Sequence, residues 1–309
     1  MSSVFLFGAG ASYGSGPCSP CPPPLGAQLF PALQAAGGVA ATVNTDLAEV
    51  FVRDFEKGMD RFWAEHNTQT TELLRDMARF FAPFEPLPGN AYSELLRILD
   101  GTRKKSVMVT TNYDLLIEHA VIQAKLLVTY GEFSAPKGNV PVLKIHGSCN
   151  FLPDLQQHKF KGISFDLSQS TDGSIIETGV RVARSSREII DFCNLEDSIA
   201  PAMAMYSPSK QVLYCRSFIQ AQQQAWLTAL TAAARIYVIG LGVHLVDEHI
   251  WGRLAKARAP VYYVGREPKD FMRWAHTSGR KYAYILADSF EAALPRIAMH
   301  HRFSYRWNP

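Results

Sequence analysis

Four short blocks hold the residue types that could do chemistry: GAGAS at 8–12, TTNYD at 110–114, IHGS at 145–148 and IGLGVHLVDEHI at 239–250. In the first, Gly8 and Gly10 leave an apolar run. Glycine there lets backbone N–H groups approach a phosphate and feed it to a helix N-terminus, but the same residues also suit a tight turn after a strand. In the second, Thr111, Asn112 and Asp114 follow an apolar run and precede LLIEHAV, so they either face a ligand at a strand end or cap a helix. Capping needs one such residue, and this block offers several. In the third, His146 ends LKIHGS, where an imidazole can titrate near neutral pH and act as a base; a lone histidine is also commonly a satisfied core side chain. In the fourth, Gly240 and Gly242 leave a strand and Asp247 is placed to cap a helix. His244 and His249 are five apart, which does not suit one helical face or a metal pair.

The first block departs from the dehydrogenase fingerprint. Its third glycine would fall at Tyr13, and no acidic ribose partner follows about 20 residues later. Beyond it lies SYGSGPCSPCPPP, with Cys18 and Cys21 spaced like half of a zinc site. A structural zinc needs a second close pair, and Cys149, Cys193 and Cys215 stand singly, so no metal is expected. The role of Cys18 and Cys21 is left open, with the 13–24 stretch read as a loop covering a ligand.

These blocks need strands to carry them. VFLFGAG (4–10), VMVTTNYD (107–114), VLKIHGS (142–148), IYVIGLG (236–242), VYYVG (261–265) and YAYILAD (282–288) are apolar runs without alternation, as in strands buried on both faces. Helical patterns at Leu115–Lys125, Val246–Ala257 and Phe290–His300 alternate with them. The expected fold is α/β: a Rossmann-like parallel sheet of six strands with helices on both faces. Two stretches interrupt the rhythm: 26–100, read as a helical insertion, and 151–235, read as an insertion forming a smaller second lobe. The latter holds turn clusters at Ser168–Ser174 and helices near Val182–Cys193 and Ser217–Ala234.

The chain has 309 residues, 47% hydrophobic and 19% charged, with a net charge of +3 and no long basic run. That composition is globular and gives little support for direct nucleic-acid binding. No run reaches the roughly 18 to 20 apolar residues that span a bilayer, and VFLF lacks the basic start of a signal peptide. With five scattered cysteines, a cytoplasmic protein with free thiols is expected.

Together the blocks resemble one family, the sirtuins and their bacterial sirtuin-like relatives. GAGAS looks like the family's GAG-x-S loop, TTNYD like its T-x-N-x-D block and IHGS like its catalytic HG block. IGLGVHLVDEHI is similar to the later glycine loop of defence-associated members, and YYVG and ADSFEAAL fall where the last nucleotide-contacting strands end. The resemblance implies a single NAD-binding domain over 1–309, with NAD as substrate. It implies Gly8, Ala9, Gly10, Ser12 and Thr111 along the pyrophosphate and nearby ribose, Asn112 and Asp114 around the nicotinamide, and His146 near its ribose. Gly240, Gly242 and Gly265 would bracket the adenosine, with Asp288 at the adenine edge. Asn112, His146 and Asp114 would be catalytic.

Protein-deacylating sirtuins carry a four-cysteine zinc ribbon after the HG block, and residues 149–235 contain no CxxC pair. The expected activity is therefore NAD glycohydrolysis to nicotinamide and ADP-ribose, serving NAD depletion in anti-phage, abortive-infection defence. Deacylation, ADP-ribosyl transfer and non-catalytic sensing of NAD or ADP-ribose are the alternatives. The resemblance also implies a homo-oligomer or a partner such as a hexameric translocase-type ATPase.

Overall fold

Along Ser2–Phe7, alternate side chains point to opposite faces, and Val4, Phe5, Leu6 and Phe7 are all buried. A strand with no wet face needs cover on both sides, and the rest of the chain supplies it. In the computed structural model, which describes residues 2–100, 106–131, 138–155, 162–165, 174–195, 198–204, 213–244 and 248–303, this strand lies at the centre of a parallel sheet. The order is Ala283–Ala287, Val261–Val264, Ala233–Ile239, Ser2–Phe7, Ser106–Thr110, Asn139–Lys144 and Leu127–Thr129. The sheet thus has seven strands rather than the six expected. The added one, Leu127–Thr129, is a three-residue edge strand whose leucine faces solvent, so it leaves no apolar run to read.

Val4, Leu6 and Val238 meet Trp226, Ala229 and Leu230 of the helix Arg216–Ala232, together with Trp251 and Trp274. On the other face Phe5, Phe7 and Tyr237 meet the helices Ala91–Ile98 and Phe290–Phe303. The Phe7 ring packs 5.2 Å from Tyr92 and 5.6 Å from Phe290.

Residues 26–100 hold the helices Gly26–Ala36, Thr45–Arg53, Phe55–His66, Thr70–Phe81 and Ala91–Ile98. Asn44, Asp54 and Asn90 start three of them, each side chain accepting a backbone N–H of the first turn. Residues 151–235 hold a hairpin of Phe151–Asp154 with Gly179–Val182, a second of Gly162–Phe165 with Ser174–Glu177, and the helix Ser186–Leu195 ahead of Arg216–Ala232. Asp247, most of the Ser168–Ser174 turn region and the final residues 304–309 lie outside the described residues. No helix among the described residues is long and apolar enough to cross a membrane.

Register and topology position the site. Phe7 is level with Thr110 on one side and Ile239 on the other, and Thr110 with Lys144. The residues that follow, Gly8, Thr111, Gly240 and Ile145, therefore leave the sheet side by side. The chain fills one side of Ser2–Phe7 first and then crosses to the other, so the strand order reverses there. In open α/β sheets, ligands bind beyond the carboxyl ends of the strands at such a reversal.

Candidate active site

A cavity of about 1210 Å³ opens above this strand end. Its floor includes Ala9, Ser12, Thr111, Asn112 and Asp114; Arg216, Gln220, Gln223 and Trp226 form one wall, and Val52–Lys57 with Asp60 another. Pro23 and Pro24 of the 13–24 loop also reach it. Burial and the neighbouring Glu56 and Asp54 push the Asp60 carboxyl up to about 6.

The two glycine loops interlock behind this floor. Gly8 N donates to Ile239 O at 3.0 Å and Gly10 N to Gly240 O at 2.8 Å. A Cβ on Gly8 would stand 2.7 Å from Gly240 O, and one on Gly240 would stand 1.9 Å from Ala11 N. Gly240 also has φ +63, a conformation that side chains disfavour. Gly8, Gly10 and Gly240 thus let two backbones touch, and Ala9 and Ser12 are brought to the cavity in consequence. Gly240→Ala is expected to part the loops and destabilise the fold by at least about 1–3 kcal/mol, read by urea denaturation; an unchanged midpoint would show that the loops do not meet this way.

Asn112 is fixed by its own amide. Its Nδ2 donates to Gly8 O at 3.0 Å and to Ser12 Oγ at 2.9 Å, and its backbone N–H to Thr110 Oγ1 at 3.0 Å. With both amide hydrogens engaged at the loop, the carbonyl oxygen is the end left for chemistry in the cavity. Ser12 Oγ also meets the hydroxyl of buried Tyr92 at 3.1 Å. Tyr92 follows Asn90, whose side chain also bonds Ser15 Oγ at 2.9 Å and Pro17 O at 3.1 Å, tying the 13–24 loop to this helix.

Asp114 is 5% exposed, lines the cavity and accepts the N–H of Leu116, the first residue of the helix Leu116–Gln123, at 3.1 Å. The N-cap position itself is Leu115, so Asp114 serves the helix start from one residue before the cap. Burial pushes its carboxyl above the ordinary carboxylate range, while the Lys144 charge, the Leu116 amide and the Ser12 hydroxyl pull it back. Lys144 is fully buried beneath it: the ammonium donates to Asp114 O and lies 3.3 Å from Glu118 Oε1. Tyr130 OH donates to the same Glu118 oxygen at 3.2 Å.

His146 is 3% exposed and does not line the cavity. Its Nε2 lies 2.7 Å from Nε2 of His249, which does. Gly242, Gly265 and Asp288 stand away from the cavity wall as well; Gly242 O takes the Trp251 indole N–H at 2.9 Å, Gly265 N bonds Ala287 O at 3.1 Å, and Asp288 is exposed.

Tyr92, Lys144 and Glu118 are the side chains around the site that the motifs did not name, and His249 was weighed there only as a partner of His244. Lys144 and Glu118 did leave a trace, as single charges inside an apolar strand and an apolar helix. Tyr92 left none, because its partner Ser12 is 80 residues away.

Cys149, Cys193 and Cys215 are free and buried, and burial raises all three thiols, Cys193 to about 12 and Cys215 to about 11. Among the described residues, no group of three or more His, Cys, Asp or Glu could hold a metal ion.

No protein-family model matches the chain, and no curated protein sequence does. Solved structures do. A structure from work on the mechanism and regulation of Sir2 enzymes aligns over 98% of this chain and 93% of its own, with 15% identity and a TM-score of 0.50. A mutant Sir2 homologue bound to ADP-ribose aligns at 14% identity over 100% and 94%, TM-score 0.45. A Sir2 homologue in complex with NAD aligns at 15% over 98% and 90%, TM-score 0.43. The first of these likenesses establishes a sirtuin-like fold for the chain.

Proposed function

We propose that this chain is an NAD glycohydrolase, cleaving the nicotinamide–ribose bond with water to give nicotinamide and ADP-ribose. The observation that carries the reading is the Asn112 carboxamide, locked by Gly8 and Ser12 beside a buried carboxylate at the strand-order reversal of a sirtuin-like sheet. The sequence blocks that resemble the sirtuin NAD loop supply the substrate.

In this reading Ala9, Ser12 and Thr111 receive the dinucleotide at the cavity floor, and Gly8, Gly10 and Gly240 shape the loop that does so. Gly242, Gly265 and Asp288 are left for the adenosine end. Breaking the glycosidic bond develops positive charge on the ribose. Asp114 lies where a negative charge would oppose it, and Lys144 helps keep that carboxyl ionised. The Asn112 carbonyl accepts a hydrogen bond from the attacking water and sets its approach to the anomeric carbon. His146 belongs to the group that takes the water's proton. The lack of any CxxC pair in 149–235 favours hydrolysis over protein deacylation, because nothing there matches a zinc ribbon. The same reading makes the chain a cytoplasmic agent of anti-phage defence by NAD depletion, working as a homo-oligomer or with an ATPase partner.

Incubating the purified full chain with NAD and separating the products is the direct test. Stoichiometric nicotinamide and ADP-ribose are expected. Label retained on a protein would point to ADP-ribosyl transfer instead, and intact NAD after incubation would count against any turnover.

A further inference from the structure

The sequence weighed His249 only as a partner of His244; both imidazoles line the cavity, and His249 is the one that meets His146. Its ring lies 5.0 Å from that of His146, centroid to centroid, with the planes 26° apart and the two Nε2 atoms 2.7 Å from one another. At that separation one hydrogen fits between the nitrogens. Two N–H groups would collide and two lone pairs would repel, so one ring donates and the other accepts. The pair in this arrangement holds at most one positive charge, and its protons belong to both rings.

The two rings are held from different elements. His146 follows the strand Asn139–Lys144, and its backbone carbonyl accepts the Ala204 N–H at 2.7 Å. His249 sits in the turn of π-helix Glu248–Gly252, which the Trp251 indole pins to the Gly242 carbonyl at 2.9 Å. Neither ring needs to move to find the other.

The geometry points to a histidine pair as the proton acceptor of the site, with His249 as the member that meets the substrate and His146 as its buried partner. This rests on the NAD-hydrolysis reading above. The water oxygen forms the new bond to the anomeric carbon as the carbon–nitrogen bond breaks, and that electron pair leaves with nicotinamide, which becomes neutral. One water proton enters at Nδ1 of His249, the nitrogen not used in the Nε2–Nε2 bond, as the bridging hydrogen that His249 donates shifts toward His146 and shares the charge; the other stays on the new hydroxyl of ADP-ribose. The pair then releases one proton to solvent for each NAD consumed. Sharing the charge offsets the cost of burying an imidazolium at His146.

Two measurements on the full chain test this. In protein labelled with ¹⁵N-histidine, a far-downfield ring N–H resonance is expected at fixed pH, and it should vanish in both His146→Gln and His249→Gln. His249→Ala is expected to lower kcat about 10²-fold with KM changed less than about twofold, and added imidazole should restore part of kcat. His249→Gln keeps a hydrogen-bonding side chain beside His146 and should match the wild-type melting curve without recovering turnover. Full kcat in both His249 variants would overturn the proposal, leaving His249 a cover over His146. A wild-type chain without the shared resonance would overturn it whether or not NAD is cleaved. A wild-type chain that shows the resonance but leaves NAD intact would support the pair and sink the NAD reading.

Discussion

Asn112→Ala is expected to reduce nicotinamide release by about 10²–10³-fold or more, the range lost when one preorganised hydrogen-bonding group is removed from an active site. Asn112 serves both the loop and the water. Its two amide hydrogens hold Gly8 O and Ser12 Oγ, which fixes the carbonyl oxygen without help from the ligand. Alanine removes the oxygen that orients the attacking water and also strips a donor from two buried acceptors. The second loss costs stability of about 1–3 kcal/mol, so a melting curve must accompany the kinetics. Asn112→Asp tests whether the oxygen suffices without the two donors that lock it. It keeps the shape and an oxygen acceptor but loses both donors and sets a second carboxylate near Asp114. Turnover should fall as far as in Asn112→Ala even where folding survives. His146→Ala should show a loss of similar size. Full rates in both Asn112→Ala and His146→Ala, measured by chromatography of the products, would remove these residues from the site.

The sheet was legible because its six longer strands are apolar runs that end in glycine or polar residues; five are largely buried on both faces, and the edge strand Ala283–Ala287 keeps an apolar run although Tyr284 and Ile285 are exposed. Leu127–Thr129 escaped because an exposed edge strand of three residues has no such run. The glycine loops were legible as turns, but their mutual contact was not. Gly8 and Gly240 are adjacent only because the strands before them pair, and no local signal in either loop names the other. His249 was weighed against His244 along one helix, whereas its partner lies across the sheet end at position 146. Spacing finds partners within one element. It is blind to partners brought together by topology, and most of this site is built that way.

Lys144→Met is expected to have the largest effect on stability, about 3–5 kcal/mol, because it leaves the buried carboxyl groups of Asp114 and Glu118 without their counter-charge. Methionine fills nearly the same volume, so little of the loss comes from packing. The deficit should depend on pH in a definite direction. Burial already raises Asp114 in the folded state, and the Lys144 charge is the largest influence holding it down. Without that charge the folded pKa rises further above the unfolded one. The folded protein then keeps a proton that the unfolded chain releases, so stability falls as pH climbs from the unfolded pKa to the folded pKa. Urea denaturation at about pH 5 and about pH 8 should therefore show the smaller deficit at the lower pH. Adding Glu118→Gln removes one unpaired charge and should recover part of the lost stability. It should not recover NAD turnover, because the Asp114 carboxyl would still be shifted toward its neutral form and the Asp114 carbonyl would still lack the ammonium that anchors it. Equal deficits at the two pH values would mean that Asp114 stays in one protonation state without Lys144, and its charge could not then be credited to the lysine.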